Sequence, residues 1–231
     1  VKTLMESLFD GQNIYFDYSE IRPEGARLHT MGGRASGPNP LIKLHDFIRE
    51  TMHNSQGRKL TTLEAHDICN QIAEIVVVGG VRRSSQISLS DLDDTEMRHA
   101  KEWPFPIKRA MANNSAIFRE KPTAAQFLKE WAALALSGTG ERGIFNLQSA
   151  QNKSPSRRYA PLIQGTNPCG EIMLRDMQFC NLSEVVIRED DDLDSLLDKV
   201  ETATWLGVIQ STFTNFPYLR KEWKRNCDVE R

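Results

Sequence analysis

The segment Gln164–Val186, QGTNPCGEIMLRDMQFCNLSEVV, carries the residues best suited to chemistry. Asn167, Cys169 and Glu171 alternate, with Pro168 and Gly170 between them. In an extended segment, positions i, i+2 and i+4 project to one side, so an amide, a thiol and a carboxylate are expected to converge on one small volume. Pro168 keeps Asn167 extended and excludes a helix interior. Gly170 admits the close approach of a ligand or another backbone. An ordinary cysteine nucleophile wants a base, usually histidine, and no histidine follows His99 in the chain. A carboxylate beside a thiol disfavours the thiolate. It suits instead a thiol that stays protonated and reacts by hydrogen-atom transfer. A sulfur radical made there would take a hydrogen from a sugar carbon. The carboxylate would act as general base on the adjacent hydroxyl, and the amide would hold a hydroxyl or a developing carbonyl oxygen. Cys180 follows Cys169 by eleven residues and could supply reducing equivalents by forming a disulfide.

Each of these residues also has a plainer reading. A free cysteine is usually a buried structural thiol, Glu171 is a solvated loop acid on its own, and Asn167 caps a turn on its own. Their joint spacing favours function. Cys180, between Phe179 and Asn181 and near Leu182, reads either as redox thiol or as core. Cys69 lies among Ile68 and Ile72 and is expected to pack; Cys227 has no assigned role. Arg82 and Arg83 follow a glycine pair, an arrangement that suits an anion or a solvated charge pair. Asn113, Asn114 and Ser115 line a substrate pocket or form a turn. The histidines show no HxxxH or HxH spacing, so no metal ligand is assigned.

Alternating helix and strand patterns must hold these residues. Leu4, Leu8 and Phe9 have helical spacing. Residues 14–20 read as a strand, and Arg22–Pro40, rich in glycine and proline, reads as an extended ordered loop. Residues 41–53 are helical, with Leu41, Leu44, Phe47 and Ile48 on one face. Thr61 with Glu64 is a capping box that opens a helix carrying Leu63, Ile68, Ile72 and Ile75 inward, which Gly79-Gly80 ends. A strand is expected over residues 84–90, a short helix near Asp93–Trp103, and a strand over Ser115–Phe118 after Asn113-Asn114. A helix capped by Thr123 and Gln126 runs to about Leu136. Further strands are expected at Ile144–Leu147 and at residues 182–187, and a long helix capped at Asp191–Ser195 runs to about Thr214. The alternation predicts an α/β architecture.

Composition narrows the class. The 231 residues are 39% hydrophobic and 26% charged, with net charge −2 and pI ≈ 6.3. This is a soluble globular balance, with no basic excess for nucleic acid and no acidic tail. No apolar run is long enough to span a membrane, the first residues lack a signal-peptide pattern, and the cytoplasm is the expected location. The four cysteines contain no CxxC, which excludes a tight zinc pair and a secreted disulfide framework. The chain starts at Val1 in helix-like sequence and stops at Arg231 inside a charged segment. We expect an internal piece of a larger protein, inactive alone.

The NPCGEI and FCNL segments resemble the finger loop of ribonucleotide reductases. IRPEGARLHTMGGRASGP, VVVGGVRRSSQISLSD and MANNSAIF resemble segments of the adenosylcobalamin-dependent reductases, especially the monomeric type. The resemblance runs from about Ile14 to the chain end. It implies that residues 1–231 are part of the catalytic domain, a ten-stranded β/α barrel threaded by a cysteine-bearing loop. It places the thiyl radical on Cys169, the flanking amide and acid at Asn167 and Glu171, and one half of the reducing pair at Cys180. The other reducing cysteine of the family has no match here. Asn114, Ser115 and Arg82 are candidate substrate contacts. The activity implied is reduction of ribonucleotides to 2′-deoxyribonucleotides with adenosylcobalamin, whose site is not located residue by residue. A thioredoxin-like reductant and a deoxynucleotide effector are the implied partners, and the monomeric type leans towards triphosphate substrates. Two alternatives stand beside it: the large subunit of a di-iron-dependent reductase, and a non-catalytic nucleotide-binding module of the same fold.

Overall fold

The computed structural model describes residues 1–29, 32–77 and 85–229. The chain divides into two compact units, Val1–Asn146 and Leu147–Arg231.

The first unit begins with three helices: α1 (Lys2–Phe9), α2 (Asn39–Asn54) and α3 (Thr62–Val77). Their apolar positions fall three and four residues apart, so each helix buries a stripe. Leu4 of α1, Leu44 and Ile48 of α2 and Ile68 of α3 form a closed cluster, with Leu41, Phe47 and Ile72 packed around it. The capping box of α3 is present: the Thr61 hydroxyl accepts from Glu64 N (3.1 Å) and Glu64 Oε2 accepts from Thr61 N (2.9 Å). The expected glycine stop at Gly79-Gly80 lies outside the described residues.

The parallel sheet follows. Strands β1 (Gln86–Ser90), β2 (Ala112–Phe118) and β3 (Gly143–Asn146) lie side by side in sequence order. Ser88 is in register with Asn114, and Leu89 with Ser115; Ser115 is also in register with Gly143. Parallel neighbours need a crossover. Helix α4 (Thr95–Arg98) and a 3₁₀ turn, Ile107–Met111, lie between β1 and β2, and α5 (Ala124–Ser137) lies between β2 and β3. The expected Thr123–Gln126 capping box opens α5.

The second unit holds α6 (Leu147–Asn152), the antiparallel pair β4 (Ile163–Thr166) and β5 (Met173–Arg175), and the helices α7 (Leu193–Ser211) and α8 (Lys221–Val229). Asp192 caps α7, its carboxylate accepting from Ser195 N at 2.9 Å. The mixed α/β content agrees with the expectation.

Several expectations are corrected. Residues 14–20 form no strand. The stretch is extended, but its aromatics are spent on α2: Phe16 lies 4.7 Å from the His45 ring, and the Tyr18 hydroxyl bonds His45 Nδ1 at 2.7 Å. Residues 182–187 likewise pair with nothing as a strand. Asn113 and Asn114 belong to β2 and do not precede it. The short helix is confined to Thr95–Arg98, and α7 stops at Ser211. Cys69 is exposed. Ile68 and Ile72, one turn apart, take the inward face of α3, and one residue further round the helix points outward.

Candidate functional site

The candidate site is built on the turn between β4 and β5. Asn167 to Gly170 is a four-residue turn closed by Gly170 N donating to Asn167 O at 3.0 Å. The local sequence dictates it: proline at the second position presets φ, and glycine takes the last. Gly170 has φ +90, in the region that only glycine adopts without cost. Asn167 N then donates to Ile172 O at 3.1 Å, returning the chain to β5.

This geometry replaces the extended segment expected from the alternation of Asn167, Cys169 and Glu171. The amide and the acid still meet, but across a turn. Asn167 Nδ2 donates to Glu171 Oε1 at 2.6 Å, and Asn167 Oδ1 accepts from Ile172 N at 3.0 Å. Thr166, buried at the end of β4, donates its hydroxyl to the same Oδ1 at 3.3 Å. Asn167 is only 3% exposed, so its carboxamide closes the turn from inside. Cys169 stands exposed at the tip. The turn thus presents a free thiol at its apex, with an amide and a carboxylate locked to each other at its base.

Beyond β5 the chain passes Asp176 and Met177, whose φ of +51 is left-handed, a backbone state that costs a non-glycine residue about 1 kcal/mol. Asn226 on α8 holds that bend, its Nδ2 donating to Asp176 O at 2.6 Å. Arg158 ties the stretch from the other end, donating to Met173 O at 2.8 Å and to Gln178 Oε1 at 3.3 Å. Gln178 Oε1 also accepts from Arg175 N at 3.1 Å. Neither Arg158 nor Asn226 was singled out from the sequence: an arginine in a polar loop and an asparagine in a charged helix carry no spacing signal. Cys180 follows, half-buried, on a cavity of ≈ 280 Å³ that it shares with Phe179, Phe213, Phe216 and Cys227.

In the first unit, Asn114 and Ser115 point to opposite faces of β2, as neighbours on a strand must. Asn114, 3% exposed, faces α3, where His66 Nε2 donates to its Oδ1 at 3.0 Å. That tautomer follows from the network: Asn70 Nδ2 donates to His66 Nδ1 at 2.9 Å, and Gln86 Nε2 donates to Asn70 Oδ1 at 2.6 Å. Ser115 is half-buried on the other face, beside Gly143, where a Cβ would come within 2.8 Å of Ser115 Oγ. Arg82 lies outside the described residues. Below the sheet, Asp67 is paired with Arg109 through two bonds of 2.7 and 2.8 Å. Burial pushes the Asp67 carboxyl up, but the two hydrogen bonds and the charge of the Arg109 guanidinium outweigh it and bring it down to about 2. Among the described residues no three His, Cys, Asp or Glu side chains gather as a metal site, and no helix is long and apolar enough to cross a membrane.

Comparison with known proteins bears on this turn and on the parallel sheet. Residues 4–52 match the family model for the insertion domain of B12-dependent ribonucleotide reductase. Residues 81–225 match the model for the barrel domain of ribonucleotide reductase. An adenosylcobalamin-dependent ribonucleoside-triphosphate reductase of Lactobacillus delbrueckii subsp. bulgaricus is 38% identical over 192 residues, 79% of this chain and 25% of the relative. The enzyme of the same name from Lactobacillus leichmannii is 37% identical over the same span and shares. That of Levilactobacillus brevis is 32% identical over 198 residues, 79% of this chain and 26% of the relative. The chain therefore spans about a quarter of the length of these relatives. No solved structure matches.

Proposed function

The chain belongs to the ribonucleotide reductase family, and on that premise we propose that it is part of an adenosylcobalamin-dependent enzyme reducing ribonucleotides to 2′-deoxyribonucleotides through a thiyl radical on Cys169. The observation that carries this reading is the turn itself, with an exposed thiol at its tip and Asn167 bonded to Glu171 at its base. Residues 1–231 are taken as a piece of the catalytic ten-stranded barrel, with the turn as the tip of its finger loop and residues 4–52 as an insertion it carries.

The cofactor, when bound, supplies the one-electron chemistry that makes the Cys169 sulfur a radical. An exposed thiol at a loop apex fits this, since a bulky group must reach Sγ from outside; among the described residues no further side chain is assigned to the cofactor. Cys169 Sγ takes the hydrogen from C3′ of the ribose. Glu171 accepts the proton of the 3′-hydroxyl. Asn167 holds the sugar oxygens and, through its 2.6 Å bond, aims the Glu171 carboxylate. Cys180 supplies one thiol of the pair that reduces C2′, releasing the 2′-hydroxyl as water. Ser115 is assigned to the substrate side of β2, with Arg82 as a phosphate contact. Asn114, whose Oδ1 is engaged by His66, contributes by holding β2 in place. Triphosphates are the preferred substrates, a thioredoxin-like dithiol protein is the reductant, and a deoxynucleotide is the effector. The di-iron-dependent alternative is not favoured, because the insertion-domain match is to the B12-dependent type.

The test is deoxynucleotide formation by the intact protein given adenosylcobalamin, a dithiol and a ribonucleoside triphosphate. Wild type makes product and Cys169→Ser makes none. Equal turnover by the variant would sink the mechanism, and product without the cofactor would move the reading to the di-iron class.

A further inference from the structure

Cys227 is a buried thiol, 8% exposed, that the proposed mechanism does not use. It faces the same ≈ 280 Å³ cavity as Cys180. Two contacts fix α8 against the stretch that bears Cys180. The Phe179 ring, next to Cys180, lies 4.6 Å from the Trp223 ring. Trp223 and Cys227 are four residues apart on α8 and so share one helix face. Asn226, beside Cys227, donates to Asp176 O at 2.6 Å. Phe179 also packs on Phe216 at 4.7 Å, and the wall around the two thiols mixes these rings with Asn181, Gln210 and Ser211. Both thiols line this one cavity, and a disulfide between them asks for Cα atoms within about 7 Å.

We infer that Cys227 is an exchange partner of Cys180, able to take over an oxidised Cys180 as an internal disulfide. The chemistry is thiol–disulfide exchange. A low-molecular-weight disulfide, or a disulfide on a partner protein, first forms a mixed disulfide with Cys180 and releases one thiol. Cys227 Sγ, having given its proton to solvent, then attacks Cys180 Sγ. The Cys180–Cys227 bond forms, the mixed disulfide breaks, and the second thiolate leaves and takes up a proton. The two electrons lost by the two cysteines are those gained by the added disulfide. The consequence for the site is protective: while the bridge exists, Cys180 is withheld from ribose chemistry and is not stranded as a bulky adduct, and any dithiol restores it. This consequence rests on the redox role assigned to Cys180.

The test needs no nucleotide, so it stands apart from the test of reductase activity. Intact wild-type protein and Cys227→Ser are treated with oxidised glutathione, blocked, digested without reduction and mapped by mass spectrometry. In wild type the Cys180–Cys227 linked peptides exceed glutathionylated Cys180 by more than about tenfold, and in the variant glutathione accumulates on Cys180. Persistent glutathione on Cys180 in wild type, or a Cys180 link to Cys169 in its place, overturns the inference. The wild-type map decides the matter alone if the variant does not fold.

Discussion

Residues 1–146 and 147–231 solve the problem of holding polar groups in opposite ways. In the first unit, charge is buried and cross-linked. Glu130 of α5, 3% exposed, accepts from Arg98 Nε at 2.9 Å and from Arg142 Nε at 3.1 Å. Arg142 reaches on to Ser90 Oγ at 2.6 Å. One carboxylate thus ties α4, α5, the end of β1 and the start of β3 together. In the second unit the side-chain hydrogen bonds mostly secure turns and loops to backbone atoms. A single side chain, Asn167, closes the turn, and no described residue of α7 is buried, with Leu193, Leu197, Val200, Trp205 and Val208 all exposed. The first unit is a scaffold whose polar groups have structural work, while the second presents its reactive groups to whatever approaches.

That contrast predicts where activity and stability separate. The largest effect is in the second unit: Cys169→Ser abolishes deoxynucleotide formation yet leaves the thermal midpoint unchanged, because the thiol is exposed and packs against nothing that fixes the turn. A large drop in midpoint would show that Cys169 is structural. Next comes Glu130→Ala in the first unit, which strands two buried guanidinium groups. It should cost about 3–5 kcal/mol in denaturant unfolding, and a loss under about 1 kcal/mol would show that the network is dispensable.

A smaller effect is set by pH. The Asp67 carboxyl sits at about 2 in the folded chain against an ordinary 3.8. A depressed carboxyl contributes stability that is fully present above its unfolded value and is lost as pH falls through the folded one. The first unit should therefore lose about 2 kcal/mol between roughly pH 4 and pH 2 through this group. Asp67→Asn should flatten that part of the acid unfolding curve, and an unchanged slope would assign the loss to other carboxyls. The smallest effect is at Gly143. An alanine Cβ would meet Ser115 Oγ at 2.8 Å, costing about 1 kcal/mol. The double variant Ser115→Ala/Gly143→Ala should recover most of it, and no recovery would place the strain in the backbone.

How much of this was legible in the sequence depended on whether the signal was local. The capping boxes at Thr61 and Thr123 and the apolar stripe of α2 were readable because propensity, spacing and burial agree there. Asn167, Cys169 and Glu171 were readable as a set, but not their shape. Alternation argues for an extended strand, whereas Pro168 and Gly170 at the second and fourth positions make a turn. Residues 14–20 and 182–187 carry a strand pattern without forming strands, because apolar and aromatic residues favour strands only where a partner strand exists. Phe16 and Tyr18 found a helix instead. The Glu130 network was invisible, since it joins residues far apart in the chain that carry no shared motif.

The pairing of β4 with β5 has a kinetic consequence. Its partners lie close together along the chain, Thr166 opposite Met173, whereas the parallel sheet must gather strands from Gln86 to Asn146. Closing a short loop costs less entropy than closing a long one, and hairpins form on the order of microseconds. The turn bearing Cys169 should therefore take its shape early, before the parallel strands have found one another. The thiol would then be presented on a finished turn while the scaffold is still assembling, leaving it open to oxidation during synthesis unless a reductant is at hand.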